Sequence, residues 1–504
     1  MKYIVSFLVL TIFFGKNAAY NMGTSWRNRA AFVAVRTNGS VISWGDDSCG
    51  GGVAPLDLSD VVTVFSTSCA FAALTSSGAV VAWGSSGTGG VAPSNLTGVT
   101  DIYSTDSAFA ALKTDGTVVC WGSSSNGGSS PAGLSNVSRI YSNPVAFAAL
   151  KEDGTVIAWG HTSHGGVAPV GLAGVASISS AAMSFAALRS NGTVVDWGFH
   201  YNYNFPSDMT NVSMIYSALT TFAAVQTNGT VHSWGHTGWG GSLSFTPSDT
   251  TDVEFIYSSR YTFYCTLTGG TVVTWSGTTS YADTQSLHIA QNSNGNALIA
   301  ALHYDGTVTT SGTSMPAGTF IPITSSGLSG VADIISTEQA LAHLKTDGTV
   351  IAWGVSEYGG SAPSSELTCV LSIHATERSF AALKMDGTVV SWGDTDYGGS
   401  APNLTDIAMI YGSTLYRPIS TSPHAYVMNQ PSALPTTQMY CQPTQTPSTQ
   451  PTTQPSNQPS HQPSAQPSNQ PSHQPSSQPS DQPSGQPSNQ PSHQPTGAPS
   501  GTRG

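Results

Sequence analysis

The sequence predicts an all-β protein: a repeat β-propeller of units about 39 residues long, written ten times. A C-terminal strand is expected to close the ring, and a disordered Pro/Ser/Gln-rich tail follows it. Three observations predict this. A Trp recurs at near-constant spacing, a Gly-containing turn recurs in register with it, and one strand is left over at the end.

The Trp stands at Trp44, Trp83, Trp121, Trp159, Trp197, Trp234, Trp275, Trp353 and Trp392, with Ser311 in the slot between Trp275 and Trp353. The nine intervals from Trp44 to Trp392 average about 39 residues. Upstream of each lies a turn, which is Asn-Gly or Asp-Gly in eight of ten copies, as at Asn38-Gly39 and Asp115-Gly116. Such pairs tolerate positive φ at both central positions and signal a two-residue hairpin. That turn places Thr114 opposite Thr117, Leu112 opposite Val119 and Ala110 opposite Trp121, with Phe109, Ala111, Val118 and Cys120 on the other face. Both faces are mainly apolar, so each sheet needs a neighbour on both sides.

A further strand precedes each hairpin, as in Val61–Phe65 and Val99–Tyr103, reached through a Gly-Gly and Ala-Pro loop such as Gly89 to Pro93. The first hairpin, Phe32 to Trp44, lacks this strand, and Ile407–Tyr411 is left over after the last. A ring absorbs that offset, whereas an open solenoid leaves two bare edges. Ten copies exceed the usual four to eight blades. Gly277 to Pro322 is the most degenerate stretch, so a seven-blade ring with extra units stays open.

The string Ala111 to Gly122, Ala-Leu-Lys-Thr-Asp-Gly-Thr-Val-Val-Cys-Trp-Gly, resembles the regulator of chromosome condensation repeat. The short period and the Gly-Gly/Ala-Pro loop are more similar to its relative, β-lactamase inhibitor protein II. The resemblance spans about Ala30 to Tyr411. It implies a propeller, and a role as nucleotide-exchange factor, enzyme inhibitor or protein-binding domain. No exchange or inhibitor contact residue of those relatives is matched here.

Residues 1–19 read as a signal peptide, with Lys2, an apolar run from Ile4 to Phe14 that is too short to span a bilayer, and small residues at Ala18 and Ala19. Residues 20–425 form the ring and 426–504 the tail. In the tail Pro recurs every fourth residue from Pro443 to Pro499, mostly as x-Gln-Pro-Ser. Frequent Pro favours polyproline II, which at ~3.1 Å per residue reaches on the order of 180 Å and suits a stalk. His461, His473 and His493 are held apart by that extended chain and form no metal site.

Charged residues make up only 8%, the net charge is −12, and no Lys/Arg cluster exists, which excludes a nucleic-acid partner. No other segment reaches transmembrane length. None of the six Cys forms a CxxC pair; Cys49 and Cys69 are candidates for a disulfide in an oxidising compartment, and Cys120 for a core filler. His161 and His164 form H-x-x-H without a third ligand. No catalytic constellation or cofactor motif stands out, so the chain is expected to be no enzyme and to need no cofactor. A carbohydrate-cleaving site would have only the loop acids Asp46, Asp47, Asp394 and Asp396 to use.

The loop after each Trp-Gly has a variable slot before Gly-Gly, filled by Cys49, Thr88, Asn126, His164, Trp239, Tyr358 and Tyr397. Tyr201 and Tyr203 lie in the matching, irregular loop of another unit. Symmetry puts these on one rim, and their aromatic and polar character suits contact with a protein or surface glycan. Seven Asn-x-Ser/Thr sequons, at Asn38, Asn95, Asn136, Asn191, Asn211, Asn228 and Asn403, are candidate N-glycosylation sites. The expectation is a secreted or cell-wall-associated binding or adhesion scaffold on a stalk. An exchange factor or ubiquitin-pathway adaptor and a secreted enzyme inhibitor are the alternatives.

Overall fold

The computed structural model describes residues 28–200, 204–206, 209–237, 241, 253–258, 263–267, 272–274, 284–291, 297–312 and 328–412. The expected signal peptide and tail, and Tyr201, Tyr203, Trp239 and Trp275, lie outside them. A contact-based division separates residues 1–441 from 442–504.

Ten three-stranded antiparallel sheets follow one another along the chain. The third is representative, with strands β1 (Val99–Ser104), β2 (Ala108–Lys113) and β3 (Val118–Gly122), and β2 in the middle. Blades 2 to 10 span residues 61–84, 99–122, 137–160, 175–198, 212–235, 253–274, 284–312, 331–354 and 370–393. Blade 1 joins Ala31–Arg36 and Val41–Gly45 to the distant strand Ile407–Tyr411, which pairs with Ala31–Arg36. The leftover strand therefore closes the ring, and the ten sequence units become ten blades. Ser311 takes the Trp register of blade 8, opposite Ile299.

The hairpin turn differs from the expected one. Lys113 N–H donates to Thr117 O (3.0 Å) and Gly116 N–H to Lys113 O (2.9 Å), and within this turn only Gly116 has positive φ, at 74°. This is the three-residue loop in which a type I turn is followed by a left-handed glycine, not the two-residue turn. The extra loop residue shifts the register by one: Phe109 faces Trp121, Ala110 faces Cys120 and Leu112 faces Val118. A one-residue slip changes which side chains share a face. Phe109 and Trp121 now share one and stack at 5.1 Å, as do Phe32 with Trp44 (5.1 Å) and Phe380 with Trp392 (5.2 Å). Each such pair contributes about 0.5–1.5 kcal/mol beyond burial.

Both faces are apolar, as expected, because each meets a neighbour. Among the described residues nine apolar clusters each join two successive blades, and one of them joins blade 10 to blade 1. The Phe/Trp face of a blade packs on the smaller face of the one before: Phe109, Ala111 and Trp121 meet Ala70, Ala72, Leu74 and Val80. The indole N–H crosses the same junction. Trp121 donates to Gly89 O (2.9 Å), Trp159 to Gly127 O (3.0 Å) and Trp392 to Gly359 O (2.9 Å). Trp44 does so to Gly398 O across the closure (3.0 Å). In these four blades the buried Trp thus fills a gap and satisfies its one donor, whereas the indole N–H of Trp83 has no hydrogen-bond partner among the described residues. Gly89 has to be glycine, because its φ is 101° and an added Cβ would lie 2.7 Å from the Phe109 ring.

The ring has two chemically distinct ends. Hairpin turns gather at one. There Val137 N–H donates to Gly116 O, so the turn of one blade holds the start of the next (3.0 Å). At the other end the third strands of blades 1 to 4, 9 and 10 run out through Trp-Gly into short 3-10 turns. Strands of five or six residues keep the ends about 17–20 Å apart.

Candidate binding rim

The predicted slots are the last residues of equivalent 3-10 turns: Asp47–Cys49, Ser86–Thr88, Ser124–Asn126, Thr162–His164, Ser356–Tyr358 and Thr395–Tyr397. A left-handed glycine ends each turn, for example Gly359 at φ 87°. The turns also account for the loop acids. Asp46 accepts from Ser48 N–H (2.8 Å) and Asp394 from Asp396 N–H (3.0 Å), each as the N-cap of its turn.

A buried polar side chain fixes each of these six slots from 21 residues upstream. Thr67, Thr105, Thr337 and Thr376 donate to the carbonyls of Thr88 (2.9 Å), Asn126 (3.0 Å), Tyr358 (2.8 Å) and Tyr397 (2.8 Å). Asn28 and Asn143 do the same for Cys49 (2.6 Å) and His164 (2.7 Å). The sequence reading missed these anchors. Their signal was a Thr or Asn 21 residues before six of the seven slots; Trp239 has Ala218 there.

The slot side chains form three kinds of junction. At blades 1 and 2, Cys49 is disulfide-bonded to Cys69, which settles that pairing. At blades 4 and 5, His161 and His164 bring their Nδ1 atoms to 2.7 Å, and Phe199 stacks on His164 at 6.0 Å. Burial, then the His161 charge, holds His164 below the ordinary histidine range. No group of three or more metal-ligating side chains exists among the described residues. At blades 9 and 10, Arg378 lies 5.2 Å from the Tyr358 ring and 4.6 Å from the Tyr397 ring. All three are half-buried, and Asp394 Oδ2 is 3.7 Å from the guanidinium. Burial works against the Arg378 charge, but Tyr358, Tyr397, Glu377 and Asp394 outweigh it and raise its pKa. Burial first, together with Glu377 and Asp394, raises the Tyr397 pKa against the pull of Arg378. Arg378 was not singled out in the sequence because its position is variable, being Cys69 in blade 2 and Ser107 in blade 3.

Asn126 is half-buried, with Oδ1 accepting from Ser125 Oγ (3.3 Å). The blade 5 loop lacks Gly-Gly, so Trp234 donates instead to Asp196 Oδ2 (3.0 Å), which also lies 3.3 Å from His200 Nε2. Cys120 packs at the blade 3–4 junction, and burial pushes its thiol up to about 12.

All seven sequon asparagines are exposed. Asn38, Asn191 and Asn228 occupy hairpin turns, where Oδ1 accepts from the N–H two residues on, each at 3.0 Å. Asn95, Asn136 and Asn211 have left-handed φ of 59°, 55° and 53°. Asn95 and Asn403 immediately precede the buried Leu96 and Leu404.

Residues 99–127 match the family model of the regulator of chromosome condensation (RCC1) repeat. Residues 442–477 and 466–502 match a PT disordered repeat. The chain is an RCC1-like repeat propeller, an architecture suited to a protein-binding scaffold or an RCC1-like regulator. No curated protein matches it. Similar solved structures include the CRINKLY WD40 ectodomain of the Arabidopsis thaliana receptor kinase ACR4, at 15% identity over 60% of this chain and 94% of that one, TM-score 0.31. The entire ectodomain of the Physcomitrella patens receptor kinase CR4 matches at 18% identity over 56% and 76%, TM-score 0.31. Prp20p of Saccharomyces cerevisiae matches at 13% over 72% and 88%, TM-score 0.31. Among the described residues no helix is long and apolar enough to cross a membrane.

Proposed function

We propose that this chain is a secreted or cell-surface scaffold that docks a protein partner on the rim carrying its 3-10 turns, performs no catalysis, and is carried on an extended stalk. The observation behind this reading is the Tyr358–Arg378–Tyr397 stack. Tyr and Arg are enriched at binding hot spots, and a guanidinium already held over two rings loses less freedom when a partner arrives. The apolar start of residues 1–19 supports secretion, and the Pro-punctuated tail supports a spacer.

The test uses the full chain, biotinylated and applied to cells of the kind that naturally express it. Binding should fall about tenfold or more for Arg378→Ala, and further for Tyr358→Ala with Tyr397→Ala, a loss of ~1.4 kcal/mol or more. Loss of binding after protease treatment of the cells identifies a protein partner, and loss after glycosidase a surface glycan. Unchanged affinity in the variants would remove the rim assignment. A chain retained in the cytosol with Met1 intact would bring forward the exchange-factor or adaptor alternative.

A further inference from the structure

The sequons and the slots occupy opposite ends of the ring. Asn38, Asn191 and Asn228 are on hairpin turns, and Asn95, Asn136, Asn211 and Asn403 are in the loops that pack beside such turns. The Cα of Asn136 lies 3.2 Å from the position a Cβ on Gly116 would take, and Asn211 stands likewise at 3.1 Å from Gly192. Asparagines also sit at the 3-10 end, at Asn28, Asn126 and Asn143, but none of these begins a sequon. The segregation is complete although both ends are loops.

The hairpin end is also built to accept a sugar. In the turns the side-chain bonds of asparagine finish on Oδ1, from the N–H and, at Asn38 and Asn191, also from the hydroxyl of the sequon's last residue (2.8 and 2.7 Å). A glycan on Nδ2 breaks none of them. At Asn136 the main-chain carbonyl is the group engaged, accepting from Glu152 N–H (2.9 Å), and the side chain is exposed. The opposite end could not take sugars as easily. Its slot side chains are engaged at the blade junctions, in the Cys49–Cys69 bond, the His161–His164 contact and the Tyr358–Arg378–Tyr397 stack.

We propose that N-linked glycans sheath the hairpin end of the ring, leaving the 3-10 end as the bare docking face. The proposal rests on the secreted reading above and assigns that reading an orientation: a partner approaches from the 3-10 end only.

Lys113, Lys151, Lys345 and Lys384 close their middle strands at the hairpin end, whereas Tyr358 and Tyr397 mark the other. The two ends can therefore be labelled separately. The full chain is secreted from a eukaryotic host, and sequon occupancy is read by peptide mass spectrometry. Lysine acylation and tyrosine nitration are then compared before and after endoglycosidase treatment. Glycans should be found on the sequons, and their removal should raise labelling of the four lysines several-fold while nitration of Tyr358 and Tyr397 stays constant. A secreted product without glycans at these sites overturns the proposal alone, as does a glycan release that unmasks the tyrosines as much as the lysines. Retention in the cytosol with Met1 intact overturns the secreted reading and this proposal together.

Discussion

The blade 1–2 junction and the blade 9–10 junction place the same two backbone positions side by side and use them differently. At the first, the slot residue Cys49 and its partner Cys69, 20 residues on, are covalently joined. At the second, the Arg378 guanidinium lies over the Tyr358 ring and also over the Tyr397 ring. The anchors beneath are alike: Asn28 holds the Cys49 carbonyl, and Thr337 holds that of Tyr358. One scaffold position can thus serve as a staple or as a recognition surface, depending on the side chain it carries. The staple also lies where the ring needs it, on the blade completed by the last strand, Ile407–Tyr411.

The largest effect that separates the two junctions is loss of the staple. Replacing Cys49 and Cys69 together by Ala frees a 20-residue loop in the unfolded chain. In the chain-entropy account this costs about 3 kcal/mol. Urea unfolding of the oxidised protein and the double variant should differ by that order, while rim binding through Tyr358, Arg378 and Tyr397 stays at the parent level. Equal urea midpoints would show that closure through Ile407–Tyr411 and Trp44 is sufficient without the bond.

A smaller effect lies under the open junction. Thr337 is buried, donates to Tyr358 O at 2.8 Å and accepts from Ala340 N–H at 3.1 Å. Thr337→Val keeps the shape and strands both main-chain groups, at a cost of about 1–3 kcal/mol. The substitution should also let the Tyr358 ring leave Arg378, so binding should weaken with stability. A variant that loses stability but binds as before would separate the anchor from the recognition surface.

How much of this was legible follows from what repeats. The ten repeat units and the closing strand were readable because Trp, Asp-Gly and the leftover Ile407–Tyr411 share one period; that all ten are blades was not, because Gly277 to Pro322 is too degenerate. The turn type was not. Asp115-Gly116 suits both a two-residue and a three-residue hairpin. The usual arbiter, polar against apolar alternation, is absent when both faces are buried. Hence the Phe109–Trp121 stack and the crossing indole bonds are properties of the folded structure that the sequence pattern does not specify. On the rim, Gly-Gly marked the slots, and Tyr358 and Tyr397 were found that way. Arg378 was not, since it joins them from the bend between the first two strands of the next blade, where the repeat tolerates Cys69, Ser107 or Val145. The residues that repeat specify the ring, and those that vary give each junction its chemistry.

The smallest expected effect concerns the hairpin end, which the two junctions share through their turns. Thr117 donates its hydroxyl and N–H to Asp115, and the pKa of Asp115 is held down to about 2. Bonds from Thr155, Thr307 and Thr349 lower Asp153, Asp305 and Asp347 in the same way. The unfolded value is about 3.9. A carboxylate whose pKa is depressed on folding contributes stability that is complete above the unfolded value and is lost as pH falls toward the folded one. The parent protein should therefore lose thermal stability between about pH 4 and pH 2. Asn38 shows that an amide makes the same turn with Oδ1 and no charge. Replacing Asp115, Asp153, Asp305 and Asp347 by Asn in an unglycosylating, oxidising host should leave Tm at neutral pH nearly unchanged. It should also flatten the acid limb by a few degrees at most, since these groups are exposed. An acid limb as steep as the parent's would move the pH sensitivity away from the turns and onto the carboxylates of the blade junctions.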